Sequence, residues 1–257
     1  MTWPQMFFLF VSAVLGGTLN AVAGGGSFFT FPALLVTGVL PKLANATSTV
    51  ALWPGTVASI GAYRREMAGQ KRGVLFLLVG TSLIGGVLGS ILLLQTPQVT
   101  FVRLIPYLLL MATLLFTFSG PITARLRTRE TGKTSHFSLR SLVGISVTQL
   151  IISIYGGYFG GGIGILMLAT LALMGMDNIH EMNAVKTLLA SCINGVSVIT
   201  FIVAGAVVWP QAILMVIGAI LGGYGGAYYA RKIDPKWVRI FVIIVGVALT
   251  IYFFVHG

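Results

Sequence analysis

Apolar residues in this chain run in long stretches, at roughly 6–23, 27–40, 43–62, 73–94, 99–118, 139–158, 163–176, 182–203, 207–229 and 237–255. Most have the ~20 residues that a helix needs to cross a bilayer. Two of them, 27–40 and 163–176, are too short for a comfortable crossing. Each directly follows a glycine run: Gly24-Gly25-Gly26-Ser27 in one case, Gly160-Gly161-Gly162-Ile163-Gly164 in the other. Glycine runs do not continue a helix cheaply, and in hydrocarbon every freed backbone group needs a partner. Segments 6–40 and 139–176 are therefore expected to form hairpins, each either re-entrant or a pair of tilted, broken helices. Matched breaks in the two halves of a membrane chain point to a transporter's binding site near the bilayer midplane.

Composition supports the membrane reading. Of 257 residues, 56% are apolar and 8% charged, with a mean hydropathy of +0.97; a soluble domain carries roughly three times that charge. The formal net charge of +11 does not call for a nucleic-acid partner, because the basic residues lie in short loops between apolar spans. Cys192 is the single cysteine, so an internal disulfide and a thiolate metal cluster are excluded. The first apolar segment has no basic stretch before it and runs on into the glycine break, which predicts a retained membrane segment.

Three loops hold most of the positive charge: Arg64, Arg65, Lys71 and Arg72; Arg125, Arg127, Arg129, Lys133 and Arg140; and Arg231, Lys232 and Lys236. All three are expected in the cytoplasm. Counting spans between them puts the 95–98 and 204–206 turns and the C-terminus outside. The halves also align with each other. Gly24 to Gly26 match Gly160 to Gly162, Asn45-Ala46 matches Asn183-Ala184, and Gly85-Gly86 matches Gly222-Gly223, at offsets of 136 to 138 residues. The loop after 43–62 is assigned inside and its counterpart after 182–203 outside, so the repeats are expected to be inverted. The expected fold class is thus an all-α polytopic membrane protein of two inverted-topology repeats, each a glycine-broken hairpin followed by three transmembrane helices. Residues 1–118 form the first repeat, 119–138 a basic cytoplasmic linker, and 139–257 the second repeat.

A helix that begins after a glycine run presents free N–H groups and the positive end of its dipole. Ser27 is expected to cap the first such helix, and Gly164 lets a backbone approach closely in the second. Two opposed N-termini at the midplane would make a nest for an anion. The plain alternative is that the triplets only permit close helix packing, which suits the scattered Gly85, Gly86, Gly89, Gly222, Gly223 and Gly226. The next element of each half starts with an asparagine: Asn45-Ala46-Thr47-Ser48-Thr49 and Asn183-Ala184-Val185-Lys186-Thr187. Asn45 and Ser48, like Asn183 and Lys186, share a helix face and can offer donors to oxyanion oxygens. Helix capping and hydroxyls bonded to their own backbone are the alternatives, favoured for Thr47, Thr49 and Thr187 singly. Lys186 either enters the membrane interior as a functional charge or snorkels to the surface. Arg103 reads as an interfacial anchor. Asn20, Asn194 and Gln149 either line a cavity or bridge helices.

The acidic residues Glu66, Glu130, Asp177, Glu181 and Asp234 all lie in or beside loops, so no proton relay or acidic sodium site is evident. His136, His180 and His256 are loop or terminal too, and no metal site or cofactor is expected. No Gly-x-Ser-x-Gly motif or paired carboxylates within a span supports an enzyme. An inside-negative potential favours exit of an anion by about 2.3 kcal/mol per charge per 100 mV, which tilts the reading towards export.

With these features in place, the chain resembles the TauE/SafE family, also called the 4-toluene sulfonate uptake permease family. The resemblance covers nearly the whole chain. It rests on Asn20-x-x-x-Gly24-Gly25-Gly26-Ser27-(x)4-Pro32, Ala44-Asn45-Ala46-Thr47-Ser48, Gly160-Gly161-Gly162-Ile163-Gly164 and Met182-Asn183-Ala184-Val185-Lys186. The second copy has Leu168 where the first has Pro32. The resemblance implies transport of sulfite or a small organosulfur anion across a bacterial-type plasma membrane, with members assigned to both export and uptake. The sulfur comes from the resemblance alone. The expected substrate site comprises Asn20, Gly24, Gly25, Gly26, Ser27, Asn45, Ser48, Gly160, Gly161, Gly162, Gly164, Asn183 and Lys186, with one repeat moving against the other. Cation-coupled uptake and an anion channel are the alternatives. The lipid bilayer is the surrounding partner, and a homo-oligomer is left open.

Overall fold

The computed structural model describes residues 1–22, 25–62, 72–127, 139–174, 176, 178–229 and 235–256. Among them the only regular structure is helical: α1 (Trp3–Val22), α2 (Ser27–Val36), α3 (Pro41–Ala62), α4 (Arg72–Gln95), α5 (Gln98–Arg127), α6 (Leu139–Tyr158), α7 (Ile163–Leu173), α8 (Ile179–Val203), α9 (Trp209–Tyr229) and α10 (Pro235–His256). Each apolar stretch becomes one helix. The helices α2 and α7 have 10 and 11 residues, about 15–17 Å of rise, or half the hydrocarbon thickness. Gly73–Gln95, Gln98–Leu115 and His180–Val203 are long and apolar enough to cross a bilayer. The chain is a multi-pass membrane protein. One boundary differs from expectation: α5 continues to Arg127, so residues 119–127 of the expected linker are helical. Hydropathy marks where lipid ends, whereas helical hydrogen bonding continues into water. The remaining basic loop positions at 63–71, 128–138 and 230–234 lie outside the described residues.

The packing repeats itself. The most extensive pairs are α1 with α9 and α4 with α6, followed by α3 with α9 and α4 with α8. The helices α5 and α10 pair with each other, and α3 crosses α8. Exchanging α1–α5 for α6–α10 turns each of these pairs into another or into itself. The fourth helix of each half is therefore packed in the other half. The halves interlock as two mixed groups, α1, α2, α3 and α9 in one, α4, α6, α7 and α8 in the other. One repeat moving whole against the other is thus corrected: it would tear α9 from α1 and α4 from α6.

Small residues make this interlocking tight, as expected where lipid removes any hydrophobic drive for helices to associate. A carbon added at Gly222 of α9 would run into the Val14 carbonyl of α1, and one at Gly89 of α4 into the Ile154 carbonyl of α6. Thr18 Oγ1 donates to Gly222 O across the first interface (2.9 Å). Gln149 Nε2 donates to Ser82 Oγ across the second (2.8 Å), so Gln149 bridges helices. Gly222→Val should cost about 3 kcal/mol or more by overpacking, read as a lower melting temperature or loss of monodisperse protein in detergent. Gly223→Ala, whose added carbon meets nothing closer than 3.8 Å, should keep the parental melting temperature.

Candidate functional site

The two glycine breaks are built differently. In the second, Gly160 and Gly162 have φ of +79° and +77°, a left-handed conformation that only glycine adopts without strain. Gly162 is the N-cap of α7, and Tyr155 OH donates to Gly161 O (2.7 Å), pinning the turn. Among the described residues, the N–H groups of Ile163 and Gly164 meet no protein acceptor. They are the free first-turn donors that a helix N-terminus leaves. In the first break, Gly26 is the N-cap of α2, with φ −56° and ψ −32°. There glycine is required by contact, since a Cβ would strike the Gly16 carbonyl of α1. Ser27 is not the cap that was expected. The helical turn starts at Gly26, which leaves Ser27 as the first helical residue, its hydroxyl without a hydrogen-bond partner among the described residues. The turns approach each other through Phe31 and Phe159, whose rings meet edge to face with centroids 5.8 Å apart.

Between the turns lies a cavity of about 50 Å³, more than the roughly 10–15 Å³ that one ordered water requires. Both helix groups line it. Asn20 of α1, Ser27 of α2 and the stripe Thr49, Leu52, Thr56 and Ser59 of α3 form one wall. Gly160, Ile163 and Gly164, with Lys186, Thr187, Ala190 and Asn194 of α8, form the other. The walls are matched: Thr49 with Thr187, Leu52 with Ala190 and Thr56 with Asn194 stand at one constant offset along the chain. Their chemistry is not matched. On α3 the hydroxyls of Thr49, Thr56 and Ser59 donate to carbonyls of their own helix, and Asn20 Nδ2 donates to Thr56 Oγ1 (2.8 Å). On α8 the Thr187 hydroxyl and Asn194 amide have no hydrogen-bond partner among the described residues.

Lys186 supplies the charge. Its side chain is buried (7% exposed), and Nζ donates to Asn183 Oδ1 at 3.0 Å. No described carboxylate lines the cavity. The matched position on α3 is Ser48, so an otherwise paired enclosure carries a single cation, on one wall. Such a wall offers an ammonium, a hydroxyl, an amide and two backbone N–H groups, a donor set that can hold an anion.

A family model described as "Sulfite exporter TauE/SafE" matches residues 9–253. The chain belongs to the TauE/SafE family. Its relatives include a "Probable membrane transporter protein" of Haemophilus influenzae, 28% identical over 94% of this chain and 91% of that one. Another, from Sinorhizobium, is 29% identical over 98% of this chain and 93% of the relative. "Probable membrane transporter protein YfcA" of Escherichia coli K12 is 27% identical over 94% and 87%. No solved structure matches the chain. The protein is a membrane transporter.

In this TauE/SafE protein the expected site residues that are described divide into three sets. Asn20, Ser27, Gly160, Gly164 and Lys186 come together around the cavity. Gly25, Gly26, Gly161 and Gly162 shape the turns behind it, and Gly24 lies outside the described residues. Asn45, Ser48 and Asn183 are placed elsewhere. The Ser48 hydroxyl is shared with Thr30 Oγ1 at 2.6 Å, Asn45 Nδ2 donates to Tyr158 O at 2.9 Å, and Asn183 holds Lys186. Thr56, Ser59, Leu52 and Ala190 line the cavity beyond the expected set. Their signal is a helical stripe, recurring every three or four residues from Thr49 and repeated on α8.

Proposed function

We propose that this TauE/SafE protein carries a small sulfur oxyanion, sulfite or a compact sulfonate, across the plasma membrane, with export as its direction. The observation that carries the reading is the buried ammonium of Lys186 in a small cavity rich in free donors. A cavity of about 50 Å³ suits a compact oxyanion better than an aryl sulfonate. Export fits a wall without carboxylates, since a membrane potential alone expels an anion. The matched halves support inverted repeats, and the cavity lies between the two mixed helix groups. Alternating access then comes from α1–α2–α3–α9 moving against α4–α6–α7–α8 about the α3–α8 crossing.

The test is sulfite flux into liposomes at clamped potential, with oxyanions of graded size as competitors. Saturable flux that follows the potential, needs no Na⁺ or proton gradient and yields to sulfite-sized anions before 4-toluenesulfonate is the expected result. Transport of a larger sulfonate instead, or a strict need for a cation gradient, would replace export by coupled uptake. Flux that neither saturates nor shows counterflow would make the protein a channel.

A further inference from the structure

The cavity is not centred between the ends of the helices that line it. On α3, Ser59 stands about 5 Å from the helix end at Ala62, and Thr49 about 12 Å from its start at Pro41. On α8, Lys186 is about 10 Å from the start at Ile179, and Asn194 about 14 Å from the end at Val203. The space is therefore displaced towards the end of the molecule where α3 finishes and α8 begins, the end that the charge pattern assigns to the cytoplasm.

Polar ties between the two helix groups are displaced the other way. Lys42 Nζ, in the first turn of α3, donates to Leu94 O and Thr96 O at the end of α4 (2.8 and 2.6 Å). Asn45, one turn on and 3% exposed, donates to the carbonyl of Tyr158, the last residue of α6. Trp53 Nε1 donates to Ser191 O at the α3–α8 crossing (3.1 Å). Beyond Trp53, on the cytoplasmic side, no hydrogen bond joins the groups among the described residues. Asn183, which corresponds to Asn45, makes no such tie to the other group among the described residues: its amide oxygen holds Lys186 of its own helix. The acceptor that corresponds to the Tyr158 carbonyl is that of Val22, the last residue of α1.

We infer that Asn45 and Asn183 are the two arms of an alternating latch, closed here on the outer side by Asn45 on the Tyr158 carbonyl. In the outward-open state Asn45 lets go and Asn183 turns from Lys186 to the Val22 carbonyl. The two asparagines are gate residues, one turn outside the anion cavity. Each caps a carbonyl orphaned at the end of a helix, a group that in lipid demands a donor, so breaking one latch is offset by making the other. This rests on the alternating-access reading above, but its test needs no substrate.

The reporter is Ala190→Cys in a Cys192→Ser background, labelled with a membrane-impermeant methanethiosulfonate reagent in right-side-out and inside-out vesicles. The parental reporter should react faster from the cytoplasmic face. Asn45→Leu should raise the outer-face rate about fivefold or more, the effect of one net buried hydrogen bond, and slow the inner-face rate. Lys42→Met should move the balance the same way. Asn183→Leu should move it in the opposite direction, which separates a latch from misfolding, since a misfolded variant gains reactivity from both faces. Faster labelling of the parent from outside, an Asn45→Leu variant with unchanged rates, or both asparagine variants shifting alike would each overturn the latch. Absent sulfite flux with opposite shifts would leave the latch standing and remove only the substrate assignment.

Discussion

Lys186→Met is expected to lower saturable anion flux about a hundredfold at low substrate while leaving the melting temperature at or above its parental value. Methionine keeps nearly the volume of the side chain, one atom shorter, and removes the charge. An oxyanion held beside that ammonium in a water-poor cavity loses about 2–5 kcal/mol when its partner is truncated, and each 1.4 kcal/mol is tenfold in affinity. Stability moves differently. Without substrate the ammonium makes one hydrogen bond among the described residues, to Asn183 Oδ1, and no described carboxylate repays its removal from water. Replacing a poorly compensated buried charge by an apolar group of similar size is neutral or stabilising. Thr187→Val, which removes one neutral hydroxyl from the same wall, should cost only about three- to tenfold. Full flux in the methionine variant would refute the assignment of Lys186 as the anion's counter-charge.

Ala190→Leu is expected to bring flux below detection in a protein that still purifies as a single species. Ala190 lies on the α8 stripe of the cavity, opposite its match Leu52. Three added carbon atoms take up much of a space of about 50 Å³. The side chain grows into a void, so the packing penalty stays at the low end of the 1–3 kcal/mol typical of enlarged residues. Ala190→Gly should keep near-parental flux. Sulfite counterflow in liposomes, read beside a thermal melt in detergent, checks both variants. A leucine variant that transports normally would move the substrate path away from this cavity.

Much of the candidate cavity is legible in the chain. The two glycine triplets, Ser27, Asn20 and Lys186 were all drawn from breaks and polar residues inside apolar spans, because lipid makes each of those expensive without a purpose. Thr56, Ser59 and Ala190 were not singled out. A hydroxyl that bonds back to its own helix looks the same in sequence whether it faces lipid, a neighbour or a cavity, and an alanine carries no polar signal at all. Asn45 and Asn183 were grouped with the substrate ligands because they share a helix face with Ser48 and Lys186. One helical turn separates a cavity wall from the contact beside it, a distance that spacing along the chain does not resolve.

The sequence by itself determined the helices, their membrane setting, the two broken hairpins, the correspondence of the halves and the family. Each of these follows from how single segments partition into lipid, which depends on their own composition and length. Only the tertiary structure decided that α4 and α9 change places between the halves, that matched stripes of α3 and α8 face one cavity, and that Asn45 bonds across to the other helix group while Asn183 bonds within its own helix. Helices already in lipid gain nothing hydrophobic by meeting, so their partners are chosen by close fit at positions such as Gly89 against Ile154 and Gly222 against Val14. That fit is a property of two surfaces at once, and no single stretch of chain contains it.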